Sequence, residues 1–169
     1  MSGMERTAVE QWLKSLGCTP TEQQDFTSNW HLEFDYPPKT PHRMHVASPK
    51  ALELATVIAS RTQISPEHLE AFSNLDEDGK EEFLWDLRHC LNSVAVDFRV
   101  EGASGPMDCP TTFQISINKF PDGLTLDSFA YSIGAVYKTE LDAIWFVQQH
   151  LGGKSYGPGN RFDFKRLGL

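Results

Sequence analysis

The apolar positions along the chain repeat at two different spacings, which divide it into predicted helices and strands. The spacing is three or four residues over 4–17, and Gly17 predicts the end of this first helix. Over 29–36 the spacing falls to two, so apolar side chains lie on one face of a strand and polar ones on the other. Pro37 and Pro38 predict the end of that strand because proline cannot continue a strand ladder.

The same two spacings predict the remaining elements. The predicted strands are 29–36, 43–47, 50–60, 95–101 and 112–120. A helix over 51–59 is an alternative for the third of them, since Ala, Leu and Glu favour helices. Ser65, which precedes a proline, and Asp76 are typical helix N-caps. Thr125 caps a long predicted helix that continues to about Leu151.

The order of these elements predicts an α+β fold. It is one helix, three strands, one or two helices, two strands and a long helix, or α-βββ-α(α)-ββ-α. Strands joined by short loops favour an antiparallel sheet, with one polar face and helices on the other. We expect a single α+β domain over 1–153, followed by a Gly-rich C-terminal tail, 154–169, that carries basic and aromatic residues.

This element order resembles the type III secretion chaperone-like superfamily, including small prokaryotic families such as the YbjN-like proteins, over about residues 5–151. The matching parts are Val9–Leu16, Trp30–Tyr36, Leu52–Ile58, Phe83–Val94, the following strand pair and Asp122–Asp127. The resemblance implies a small, acidic, cytosolic and dimeric protein that holds an extended segment of a protein partner on apolar surfaces. No catalytic signature is part of it.

The negative net charge argues against two classes of binding partner. The 169 residues include 15 Lys+Arg and 23 Asp+Glu, a formal net charge of −8. Broad binding to nucleic acid or to an anionic membrane needs a positive excess, so neither partner is expected. The acidity is concentrated at 67–86, where eight acidic residues accompany Lys80 alone. Three widely spaced cysteines and the lack of any apolar run of about 20 residues favour a cytoplasmic protein with reduced thiols.

Two sets of residues could bind a metal or a cofactor. Asn74, Asp76 and Asp78 have the spacing of a calcium loop, but Trp85 occupies the position that needs a bidentate carboxylate. We therefore interpret the acidic residues as a helix cap, with no metal and no cofactor predicted. The His42–His45 strand gives an alternative function, a small-ligand or haem-binding protein. Period two, however, places His42 and His45 on opposite faces of that strand.

A second alternative is an enzyme that depends on Cys109, because this thiol lies in a predicted loop. A catalytic thiol needs a nearby base and a lowered pKa. No Cys–His signature adjoins it, and the sequence lacks the phosphate-binding and nucleophile motifs of common enzymes.

The long C-terminal helix favours protein binding. Its apolar positions are wider than one stripe, which is typical of a helix that covers a second partner. The candidate contact residues are Tyr131, Tyr137, Trp145 and Phe146. Packing of the tail on the same helix is the alternative. The sequence thus predicts a non-enzymatic, chaperone-like protein-binding module that acts as a homodimer.

Overall fold

A computed structural model describes residues 2–52, 54–92, 95–102 and 108–152 of the chain. The helices are α1 (Ser2–Ser15), α2 (Pro66–Ser73), α3 (Glu77–Leu91) and α4 (Leu126–Leu151). The strands are β1 (Thr21–Glu22), β2 (Ser28–Asp35), β3 (Arg43–Pro49), β4 (Thr56–Gln63), β5 (Asp97–Glu101) and β6 (Thr112–Lys119). Val94 and the predicted tail, 154–169, lie outside the described residues.

The strands form one antiparallel sheet in the order β1-β2-β3-β4-β6-β5. The α+β class and the predicted order of elements are confirmed. Strand β1 is an addition: two residues are too few for an alternating pattern to be visible in the sequence. The pairing of β2 with β3 is the most extensive one described, and it ends with Asp35 opposite Arg43.

By its internal contacts the chain divides into two compact units. The first unit contains Met1–Ser60 and Ser116–Tyr137. The second contains Arg61–Ile115 and the chain from Lys138 onward. Strands β4 and β6 and helix α4 therefore each contribute residues to both units. One domain over 1–153 stays a prediction.

Alternate side chains of β2 form part of the core of the first unit. Trp30, Leu32 and Phe34 are buried as predicted, while the residues between them are partly exposed. The rings of Trp12 on α1 and Phe129 on α4 lie 5.6 Å apart between centroids. The other buried apolar residues of this unit include Val9, Leu13, Met44, Val46, Ile58, Ile133 and Val136. This apolar core fixes which face of β2 and β3 is left for polar side chains.

The second unit is built around the ring of Phe83 on α3. Its centroid lies 5.5 Å from that of Phe72 and 5.2 Å from that of Phe146. The other buried apolar residues of this unit include Ile64, Leu84, Leu87, Leu91, Phe113, Ile115, Ile144, Val147 and Leu151. Helix α3 thus contributes an apolar stripe of four buried residues to this core: Phe83, Leu84, Leu87 and Leu91.

The predicted helix ends are confirmed by their hydrogen bonds. The Ser65 hydroxyl accepts from the amide of His68, which caps α2. Asp76 Oδ1 accepts from the Gly79 amide at 2.8 Å, so this carboxylate caps the N-terminus of α3. Gly17 ends α1 with φ +80°, a left-handed conformation that favours glycine.

The strand predicted over 50–60 begins too early. Strand β4 starts at Thr56, and Leu52 and Leu54 are exposed. The amide of Leu52 donates to Pro49 O at 3.3 Å, and that of Ala55 donates to Leu52 O at 3.2 Å, which makes this segment a turn. Leu54 has φ +65°, which neither a strand nor an α-helix allows. The helical alternative over 51–59 is therefore also wrong.

Candidate functional site

Strands β2 and β3 bring two histidines together on the polar face of the sheet. Glu33 lies opposite His45 and Ala47 lies opposite His31, so the two histidines are diagonal neighbours across the strand pair. His31 Nε2 lies 3.0 Å from His45 Nδ1, and the ring planes are inclined at 57°. At this separation one ring nitrogen donates a hydrogen bond to the other.

A tight turn before β2 places a carboxylate beside this pair. Asp25 accepts hydrogen bonds from the hydroxyls of Ser28 and Thr27 and from the Thr27 amide. These bonds, the one from Ser28 most of all, hold the pKa of Asp25 well below its ordinary value of 3.8. Asp25 Oδ2 lies 3.4 Å from His31 Nδ1, which is close enough for electrostatic attraction but longer than a normal hydrogen bond.

The position of Asp25 beside His31 favours one placement of the protons on the two histidine rings. A carboxylate beside Nδ1 favours the tautomer of His31 that carries its proton there, which leaves Nε2 as an acceptor. With that tautomer of His31, His45 Nδ1 is the donor and His31 Nε2 the acceptor of the hydrogen bond between the rings. The two imidazoles are thereby oriented by a carboxylate that stays ionised at neutral pH.

The neighbouring charges on this face are already paired. Arg43 Nη1 lies 3.2 Å from Glu33 Oε1, and Arg43 Nε lies 3.8 Å from Asp35 Oδ1. These pairs are partly exposed and contribute little to stability. They do hold the Glu33 carboxylate near Arg43. Glu33 lies on β2, directly opposite His45 on β3.

His42 lies apart from this pair. It is buried, and its ring meets Tyr137 edge-on with the centroids 4.9 Å apart. Met44 shares its face and is fully buried, whereas His45 lies on the opposite face, as the strand period predicts. The structure therefore does not support the alternative in which the His42–His45 strand forms one ligand or haem site.

Burial is the main influence on the pKa values of the three cysteines. Burial raises the pKa of Cys109 above its ordinary value of 9.0, and the weaker opposing effect of Lys80 does not offset it. Burial likewise raises the pKa values of Cys18 and Cys90. A catalytic thiol needs the opposite shift. The direction of this shift therefore lends no support to the alternative of a Cys109-dependent enzyme, and Cys109 is a partly buried thiol.

The four predicted contact residues of α4 fall into two classes. Tyr131, in the first unit, is 69% exposed and Trp145, in the second, is 57% exposed. Tyr137 instead packs against Tyr36 and His42. Phe146 packs between Phe83 and His150 of its own unit. Only Tyr131 and Trp145 thus keep most of an aromatic side chain available to a partner.

The second unit also carries an acidic surface with a tryptophan on it. The eight acidic side chains predicted to be concentrated at 67–86 are all exposed: Glu67, Glu70, Asp76, Glu77, Asp78, Glu81, Glu82 and Asp86. Trp85 on α3 is 55% exposed and touches the ring of His89 one helical turn later. Asp78, Glu81 and Trp85 follow one another at three and four residues, so they share a face of the helix. We call these eight carboxylates and Trp85 the acidic surface.

Within the described residues, no group of three or more His, Cys, Asp or Glu side chains is arranged to hold a metal ion. In that same part of the chain, no helix has the combined length and apolarity required to cross a bilayer.

Comparison with known proteins places the chain in a family. A family model described as "Uncharacterized conserved protein (DUF2299)" matches residues 5–147. The chain belongs to the DUF2299 family. The crystal structure of an uncharacterized protein from Methanothermobacter thermautotrophicus is similar to this DUF2299 chain, with a TM-score of 0.78 and 27% sequence identity. The match covers 87% of the DUF2299 chain and 99% of the other. None of the curated proteins compared matches it.

Two polar features of this DUF2299 protein, a histidine pair and a buried glutamate, were not predicted from its sequence. His31 and His45 lie 14 positions apart, and only the register of β2 against β3 brings them together. Glu140 is buried on α4 and accepts a hydrogen bond from the Thr62 hydroxyl. The burial of Glu140 could have been predicted from the sequence, because it lies four residues after Val136 on the apolar stripe of the helix.

Proposed function

We propose that this DUF2299 protein is a non-enzymatic, chaperone-like binding module that holds a basic, aromatic-rich segment of a partner protein on its acidic surface. The observation that carries the proposal is Trp85, a large exposed aromatic side chain among exposed carboxylates. Trp145 of the same unit is a further contact residue, and Tyr131 is a separate candidate contact residue on the first unit. The cytoplasm is the proposed location.

The partner's chemistry follows from the charges. Glu77, Asp78, Glu81 and Glu82 stand in the first turns of α3, and like charges so close repel one another. A cationic segment relieves that repulsion and is steered toward the surface by its charge. Tryptophan is the residue type that most often contributes strongly to binding at protein interfaces. Carboxylates around an exposed indole therefore favour a segment that combines Lys or Arg with aromatic side chains.

A labelled peptide tests this proposal directly. The probe is an extended fluorescent peptide with four lysines and three phenylalanines, and its control has glutamine in place of lysine. Fluorescence anisotropy with the full chain is expected to show binding of the lysine peptide that weakens as salt is raised. We expect Trp85→Ala to weaken it by about 10-fold or more. The pair Glu81→Lys and Glu82→Lys should weaken it at least as much.

The matched control for charge reversal is Asp122→Lys, an exposed acidic residue of the first unit. It should leave binding of the lysine peptide unchanged. Equal binding of both peptides, or equal binding by wild type and the α3 variants, would contradict the proposal. Absence of binding to the wild-type chain would contradict it as well.

The chaperone-like resemblance further leads us to propose a homodimer. Light scattering of the full chain over a range of concentrations is expected to give about twice the chain mass of 19.1 kDa. Trp145→Ala and Tyr131→Ala, which remove the exposed aromatic side chains of α4, measure whether that helix contributes to the dimer contact. A mass of one chain at every concentration would rule the homodimer out.

A further inference from the structure

We propose that His31 and His45 form a binding site for a divalent transition-metal ion of the Cu²⁺ or Ni²⁺ type, with His31 Nε2 and His45 Nδ1 as the two protein ligands. This site lies in the first unit and does not depend on the binding function proposed for the acidic surface.

The distance between the two nitrogens selects the geometry. Imidazole nitrogens bind such ions at about 2.0–2.1 Å, so two of them 3.0 Å apart subtend about 94° at the ion. A tetrahedral site requires a wider separation of about 3.3–3.4 Å at the same bond length. An angle near 90° matches adjacent positions of the tetragonal arrangement that nitrogen ligands give Cu²⁺ and Ni²⁺.

Asp25 supplies the outer support that metal-bound histidines commonly have. A ligating imidazole usually donates its other N–H to a carboxylate, which fixes its tautomer and raises its basicity. Asp25 stands in that place, with Oδ2 3.4 Å from His31 Nδ1, and the turn around Thr27 and Ser28 holds it there. It is a positioning residue, since the metal ligand is the opposite nitrogen of His31.

An ion can reach the site from the side of His31, and binding leaves the number of protons on the two rings unchanged. His31 lines an open surface depression together with Asp25 and Asn29. In the metal-free protein the tautomer that Asp25 favours places the proton between the rings on His45 Nδ1. When the ion binds, that proton moves through water to His45 Nε2, and both facing nitrogens present lone pairs. Since no third protein ligand stands among the described residues, water completes the coordination.

The two imidazole ligands also explain why Cu²⁺ is the preferred ion. With only two imidazole ligands, affinity depends on the intrinsic strength of each metal–nitrogen bond. That strength is greatest for Cu²⁺ along the divalent first-row series and exceeds that of Zn²⁺. Ions that prefer oxygen ligands, such as Mg²⁺ and Ca²⁺, should not compete.

The test titrates CuCl₂ and NiCl₂ into the metal-free full chain. Calorimetry should give one tight equivalent, and electron paramagnetic resonance of the Cu²⁺ form should show coupling to two nitrogens. His31→Gln and His45→Gln should each remove that equivalent, whereas His89→Gln, at an exposed histidine of the second unit, should retain it. Asp25→Asn should retain the site with about 10–100-fold weaker binding.

A measurement on the unaltered protein complements the variants. At a fraction of one equivalent of Cu²⁺, the ring-proton signals of His31 and His45 should broaden before those of the other four histidines. Equal broadening of all six would overturn the proposal. So would an unchanged equivalent and spectrum in the double variant His31→Gln/His45→Gln, since the ion would then bind elsewhere.

Discussion

Replacing Phe129 by alanine is expected to lower the free energy of unfolding by about 3–5 kcal/mol. This ring is 0% exposed and packs against Trp12 in the core of the first unit. Its removal loses the transfer free energy of the side chain and leaves a cavity among close-packed neighbours. Urea unfolding followed by circular dichroism measures the loss as a lower midpoint with an unchanged slope.

The control for this prediction is the same substitution at an exposed position of the same unit. Phe26 is 91% exposed, so Phe26→Ala removes a ring that buries almost nothing. We expect a change within about 0.5 kcal/mol. Similar losses in the two variants would mean that the ring of Phe129 is not a closely packed part of the core.

The contrast between these two phenylalanines indicates what a sequence can predict. Phe129 follows the Thr125 cap and precedes Ile133 at helical spacing, so its burial follows from a local periodic pattern. Trp30, Leu32 and Phe34 were likewise predictable, because strand alternation is set by backbone geometry. Where one element buries one stripe, the sequence and the fold agree.

The failures occur where a local pattern competes with a turn or with distant contacts. Leu52 and Leu54 continue the alternation of β4 backward, yet turn hydrogen bonds around Pro49 remove them from the strand. Tyr137 and Phe146 were predicted as contact residues of α4, yet each packs against aromatic rings of its own unit. Hydrophobic spacing alone does not indicate how much of a helix surface the rest of the fold buries.

The candidate site was the least predictable part for the same reason. His31 and His45 come from different strands, and a shift of one residue in register would move one ring to the other face. The acidic surface was more predictable, because its residues are contiguous in sequence and a helical spacing alone aligns Asp78, Glu81 and Trp85. Sites formed by one element can be read from sequence, whereas sites formed across strands need the register.

The second large effect is expected at the buried pair of Thr62 and Glu140 in the second unit. Both side chains are buried, and the Thr62 hydroxyl donates to Glu140 Oε1. Thr62→Val keeps the shape of the side chain and removes this donor, so Glu140 Oε1 loses the hydrogen bond that Thr62 provides. We expect a loss of about 1–3 kcal/mol in the free energy of unfolding, measured by urea denaturation.

A double-mutant cycle separates this hydrogen bond from packing. Thr62→Ser keeps the hydroxyl and should cost less than Thr62→Val, because only a methyl group is lost. Glu140→Met replaces the carboxyl by an apolar group of similar length, and Thr62→Val added to it should cost much less than in the wild type. The expected coupling is about 0.5–3 kcal/mol. Additive losses would mean that the two side chains do not stabilise each other, whereas the predicted coupling would show that the hydrogen bond from Thr62 stabilises this buried carboxyl group.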